Sequence, residues 1–150
     1  MSNHGGILFK SSVKHCVKPF KFTAHTFEYI CITNGRNSIT YAANAIYRPP
    51  PLQVNGVKTN DFLAEIDSFF TELNLLPMPI MALGDFNVHF DSPEKSETRS
   101  FMSTLSSIDL YQYVLHPTHK NGHTIDLVIT RNSERDLINS CRVQYMYVVY

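Results

Sequence analysis

The sequence predicts a layered protein of strands and helices, α/β or α+β, on three observations. Apolar runs of strand length occur both before and after the helical segments. One segment carries an unbroken apolar stripe at helical spacing. Polar loops bearing proline and glycine separate the elements, so the order reads strands, helix, strand, helix, strands.

Taken in order, "GGILFK" (5–10) reads as a short strand and "TFEYICIT" (26–33) as a second with apolar alternation. "SITYAANAIYRP" (38–49) is a third, with Ile39, Tyr41, Ala43, Ala45 and Tyr47 on one parity. "PPP" (49–51) ends it, because proline removes ladder donors, and "LQVNGVK" is a loop. "TNDFLAEIDSFFTEL" (59–73) is a helix: Phe62, Leu63, Ile66, Phe69, Phe70 and Leu73 form one stripe, Thr59 or Asn60 can cap it, and Pro77 lies beyond its end. The strand "PIMAL" leads into "GDFN". A second helix is predicted from about Ser96, with Phe101, Met102, Leu105 and Ile108 inward. "LYQYVL" (110–115) reads as a strand, "HPTHKNGHT" as a polar loop, "IDLVIT" (125–130) as a strong strand and "CRVQYMYVVY" (141–150) as a last one.

A chain of 150 residues, 43% hydrophobic with ten Phe and eight Tyr, is long enough for one domain with a genuine core. No run approaches the length of a membrane span, and the N-terminus lacks the pattern of a secretory signal, so no membrane role is expected. Cys16, Cys31 and Cys141 are scattered and odd in number, which fits a reducing, intracellular compartment. The formal charge is zero, so bulk electrostatics do not by themselves argue for nucleic acid. The Lys10, Lys14, Lys18 and Lys21 series is explained as well by a solvated surface.

The chemistry concentrates in "IMALGDFNVHFD" (80–91), where a buried strand runs into Asp85 and Asn87. A turn is one explanation, since both side chains bond their own backbone. The other follows from the two-residue strand period, which points Asp85 and Asn87 the same way, an acid and an amide that can orient a water and a polar substrate.

Together with "AIYRPPP" (45–51), "HPTHKNGHTIDLVIT" (116–130) and "GGILFK", this stretch resembles the endonuclease/exonuclease/phosphatase family. The four stretches look most like the endonuclease domain of LINE-type, non-LTR retrotransposons, relatives of AP endonucleases and DNase I. The resemblance implies a four-layered α/β sandwich, DNase I-like, with the site at one edge. It also implies phosphodiester cleavage with a divalent metal, usually Mg²⁺, and DNA as partner, with no small-molecule cofactor. Such chemistry needs an oriented water and charge stabilisation on the non-bridging oxygens, and hard oxygen ligands suit Mg²⁺.

By that resemblance Asp85 activates or orients the attacking water, and Asn87 holds the nucleophile or phosphate oxygens. Tyr47 points a phenol at the scissile phosphate, where the plain alternative is an aromatic on a strand face. Asp126, an acid inside the apolar run "TIDLVI", is costly without a partner, and in the family it pairs with a histidine. Thr118 resembles a threonine lining the DNA-binding edge, with a loop-stabilising hydroxyl as the alternative. His116, His119 and His123, with His89, invite a zinc reading, but no cysteine accompanies them and "PTHxxGHT" belongs to the retrotransposon pattern. Glu28 reads as surface or sheet packing and not as a metal carboxylate.

The family also carries an Asn and a metal-binding Glu near its start and a Ser-Asp-His motif near its end. Neither has a counterpart in these 150 residues, so residues 1–150 read as a partial domain, a sandwich incomplete at both ends, with no metal ligand of its own. The groups of such a site act as a unit. The expectation is a Mg²⁺-dependent DNA endonuclease domain by descent, impaired or inactive as this chain and nuclear where functional. The alternative is a non-catalytic retroelement remnant with at most weak nucleic-acid binding. "YRPP" and "PTHKNGHTIDLVIT" disfavour a phosphatase or sphingomyelinase branch. Oligomeric state and DNA target stay open.

Overall fold

In the computed structural model, described for residues 15–16, 20–36, 39–51 and 58–137, six strands form one mixed sheet. They are β1 (His15–Cys16), β2 (Glu28–Arg36), β3 (Ile39–Tyr47), β4 (Ile80–Asp85), β5 (Leu110–Gln112) and β6 (Asp126–Arg131), in the order β1-β2-β3-β4-β6-β5. Only β3 and β4 run parallel; the other neighbours are antiparallel. The β3–β4 crossover contains helix α1 (Thr59–Asn74), as a parallel connection requires. Helix α2 (Ser96–Ser107) follows β4, and a 3-10 helix spans Asn132–Leu137.

The predicted apolar stripe is the packed face of α1. Phe62, Ile66, Phe69, Phe70 and Leu73 are fully buried against Ala42 and Ile46 of β3, Ile80 and Ala82 of β4, and Leu127 and Ile129 of β6. Phe101 and Leu105 of α2 complete this core. Phe86 stacks on Phe70 at 6.3 Å between centroids, and five aromatic contacts converge on Phe69 from Phe20, Phe22, Phe27, Tyr29 and Phe70. Burying each such ring is worth about 1.5–3 kcal/mol, which is what anchors both helices to one face of the sheet. The other face carries the row Ile30, Ala45, Leu83 and Val128, one residue from each of four adjacent strands.

Several boundaries differ from the sequence reading. Strand β2 begins at Glu28 because the Glu65 carboxylate of α1 takes the N–H groups of His25 and Thr26, both at 2.7 Å, and holds them in a bend. It runs on to Arg36, paired with Ile39, through residues with turn-like composition. Thr59 is the first helical residue rather than a cap; the N-cap is Lys58, with no side-chain cap bond. Strand β5 stops at Gln112 because the buried Gln112 amide bonds both backbone groups of Val114, the oxygen to its N–H and the nitrogen to its carbonyl at 2.8 Å. Met102 of α2 is half-buried and outside the central core cluster, while Ile108 packs against it. The strands read over 5–10 and 141–150 lie outside the described residues. The two-residue β1 and the 3-10 helix were not foreseen. A single sheet with helices is the α/β arrangement among the described residues, and no helix there is long and apolar enough to cross a membrane.

Candidate active site

Four side chains fall in one transverse row at the end of the sheet. Glu28 of β2 is the register partner of Tyr47 in β3, Tyr47 of Asp85 in β4, and Asp85 of Asp126 in β6. Register partners share a face, so Tyr47, Asp85 and Asp126 all lie on the face opposite the helices. Glu28 closes the row as an exposed residue.

The close approach of β3 and β4 at this end depends on Gly84. Its φ is +140°, and a Cβ there would meet the Ile46 carbonyl oxygen at 1.9 Å. No other residue fits between Leu83 and Asp85 without separating the strands. The next link is also backbone: Arg48 N–H donates to the Asp85 carbonyl at 2.8 Å.

Asp85 ends its strand, so the strand-period argument for Asn87 does not hold. Asn87 is left-handed, φ +47°, and its N–H donates to Asp85 Oδ1 at 2.9 Å, an Asx turn. Its side-chain Nδ2 then donates to the Arg48 carbonyl at 2.7 Å, which brings the amide back beside Tyr47. The turn and the clustering of polar groups are therefore the same structure.

Arg48 is 1% exposed. Its Nη1 pairs with Glu97 Oε1 of α2 at 2.6 Å, and its guanidinium lies 3.8 Å over the Phe62 ring. Nη2 is buried with no hydrogen-bond partner among the described residues. Arginine is ordinarily a surface residue, so "YRPP" carries no local sign that this one is buried.

Burial pushes the Asp85 carboxyl above its ordinary pKa, and the Asp126 charge pushes the same way. The Asn87 N–H, His119 and Arg48 pull it back without cancelling the rise. The Asp126 carboxylate is half-exposed and has no hydrogen-bond partner among the described residues, while its N–H donates to Thr118 Oγ1 at 3.0 Å. Thr118 Oγ1 also accepts from Ile125 N–H at 3.0 Å, so this hydroxyl ties the 116–123 loop to the start of β6 beside Asp126.

Beyond the acid pair the two chains continue side by side: Phe86 N–H donates to the Ile125 carbonyl and Phe90 N–H to that of Thr124, both at 3.0 Å. Asp91 then accepts from Thr124 N–H at 2.8 Å and from His123 Nδ1 at 3.0 Å. Burial works to raise the Asp91 carboxyl, but these hydrogen bonds outweigh it and hold it at about 2. The His89 and His123 rings lie 3.9 Å apart, and Lys95 Nζ is 2.8 Å from His89 Nδ1. Desolvation, Lys95 and His123 together lower the His89 pKa. No three His, Cys, Asp or Glu side chains among the described residues are gathered so as to hold a metal, zinc included. Asp85 and Asp126 alone offer a hard, mutually repelling pair of carboxylates, and one or two carboxylates are what Mg²⁺ usually takes from a protein.

No family model matches this chain, and no curated protein does. Solved structures do match. The endonuclease domain of TRAS1, a telomere-specific non-LTR retrotransposon, aligns with a TM-score of 0.68 at 16% identity, over 89% of this chain and 61% of that one. The beta toxin of Staphylococcus aureus (TM-score 0.49, 14% identity) aligns over 69% of this chain and 42% of its own. The mannosyl-6-phosphatase of Bacteroides thetaiotaomicron (0.48, 15%) aligns over 71% and 43%. This chain thus spans about three fifths of the TRAS1 domain. Its fold over the part it spans is that of the TRAS1 endonuclease domain, a DNase I-like α/β fold of the endonuclease/exonuclease/phosphatase type.

Proposed function

We propose that this chain is a phosphodiesterase domain of the retrotransposon endonuclease type, nicking DNA by in-line attack of water. The observation that carries the reading is the row Tyr47, Asp85, Asp126 on one face at one end of the sheet. Asp85, with its raised pKa, is suited to take a proton from the attacking water. Asn87, fixed by the Arg48 carbonyl, contacts the nucleophile or a phosphate oxygen. Tyr47 places its phenol against the scissile phosphate, and Thr118 holds Asp126 at the DNA-binding edge. Asp126, beside Asp85 in the row, is the residue that would hold Mg²⁺ while Asp85 keeps the proton-accepting role; when bound, the ion supplies positive charge to the phosphate oxygens and acidifies its water.

Among the described residues no third carboxylate is gathered with this pair to hold a metal, and low turnover is the expectation. The same reading makes the sheet one half of a four-layered sandwich, with Ile30, Ala45, Leu83 and Val128 on the side where a second sheet packs. A DNA substrate of retroelement type would place the chain in the nucleus, alongside a reverse transcriptase.

Plasmid nicking with Mg²⁺ or with EDTA, by the wild type and by Asp85→Ala, tests the reading. Nicking that needs both the metal and Asp85 supports it. Folded protein that binds DNA but never nicks supports a binding remnant instead.

A further inference from the structure

Lys95, His89 and His123 form a cluster just past the acid pair, and the roles assigned above do not use it. Lys95 Nζ lies 2.8 Å from His89 Nδ1. An ammonium can only donate, so Nδ1 accepts and the His89 proton sits on Nε2, in keeping with the lowered pKa of that ring. His123 donates through Nδ1 to Asp91, so its Nε2 is an acceptor, and this ring flanks His89 rather than offering an anion a donor of its own. The two ring centroids lie 3.9 Å apart with the planes tilted by 37°, and Lys95 is exposed.

The two negative charges that act on His89, those of Asp91 and Glu97, are hydrogen-bonded to other groups. Asp91 is held by His123 and Thr124 N–H, and Glu97 by the buried Arg48. Among the described residues Lys95 has no carboxylate within ion-pair distance. It is also the N-cap of α2, and no side chain caps that twelve-residue helix, whose positive end therefore faces the same place. A lysine, the His89 Nε2–H and a helix N-terminus converge there, and the cluster stands on the continuation of the strands that carry Asp85 and Asp126.

We infer that Lys95 and His89, with the α2 N-terminus, bind a backbone phosphate of duplex DNA adjacent to the scissile one. This rests on the phosphodiesterase reading for its ligand, but not on catalysis. A phosphate contact positions DNA without reading its sequence, and each one adds about 0.9 to the dependence of log Kd on log salt.

The test is binding of a fluorescent DNA duplex in EDTA, so that no cutting occurs, between about 50 and 200 mM salt, where such contacts dominate. Lys95→Gln lies on the surface and is expected to weaken binding several-fold and to lower the salt slope by about one. His89→Ala is expected to weaken binding in the same direction, with folding checked by circular dichroism. Arg135→Gln removes one exposed charge from the 3-10 helix at the far end of β6 and is expected to leave the slope unchanged. Equal effects of Lys95→Gln and Arg135→Gln, or no duplex binding by the wild type, overturn the inference. So does a response of the His89 and His123 ring resonances to inorganic phosphate without any binding of duplex. Loss of nicking with Lys95-dependent binding intact counts against the catalytic reading and leaves this one standing.

Discussion

Asp85 and Asp126 face each other as register partners on adjacent antiparallel strands, and the charge of one raises the pKa of the other. Two acids directly opposite destabilise a sheet. Burial is the larger cause of the Asp85 shift. A carboxyl whose folded pKa is raised binds its proton more tightly in the native state, so stability falls as pH rises from its unfolded to its folded pKa. Asp85→Asn is therefore expected to unfold at a higher temperature than the wild type at neutral pH, with the Asn87 turn bond retained by the amide oxygen. Asp126→Asn is expected to lower the Asp85 midpoint, read by carboxyl NMR titration. An unchanged midpoint would show that the two charges are not coupled.

The Arg48–Glu97 pair joins the site to α2. Glu97→Ala leaves a guanidinium that is 1% exposed facing a void. Losing one partner of a buried pair costs roughly 3–5 kcal/mol, and the partial exposure of Glu97 places this case at about 3. Urea denaturation measures it. Replacing both residues by methionine removes the stranded charge, so the double variant is expected to be more stable than Glu97→Ala alone. A double variant that is less stable would contradict this account.

How legible these features were in the sequence follows from the range of the interactions. The α1 stripe and the strand preceding "GDFN" were readable because a periodic pattern reports directly on burial. Tyr47, Asp85 and Asp126 were named from motifs, yet their shared row depends on pairings across 38 and 41 residues that no local pattern contains. Asn87 was read either as a turn residue or with the strand period; the strand ends two residues earlier, and Asn87 sits in an Asx turn on Asp85. Arg48 gave no signal, since its burial is created by Phe62 and Glu97 from two separate helices. His123 was weighed only as a zinc ligand, because its partner Asp91 lies 32 residues away.

Gly84→Ala tests the strand contact behind the site. Its φ of +140° penalises any side chain, by about 1–3 kcal/mol for the dihedral alone, and the Ile46 carbonyl blocks the Cβ outright. The variant is expected to lose at least that much stability and to expose the β3–β4 amides to hydrogen exchange. Protection equal to wild type would mean that β3 moves aside without consequence for Tyr47 and Asp85.

Asp91 gives a test in acid. Its folded pKa of about 2 lies below the unfolded value of about 3.9, so its hydrogen bonds stabilise the fold above the unfolded pKa. That contribution is lost as pH falls through about 2. Asp91 is about one third exposed, and solvent screening keeps the effect small. The melting temperature of the wild type is expected to drop between roughly pH 4 and pH 2 more steeply than that of Asp91→Asn, which carries no charge to lose. His123→Gln is expected to flatten the same region in part, because Thr124 N–H still holds the carboxylate. Identical slopes for all three proteins would show that the Asp91 bonds form no more in the folded chain than in the unfolded one.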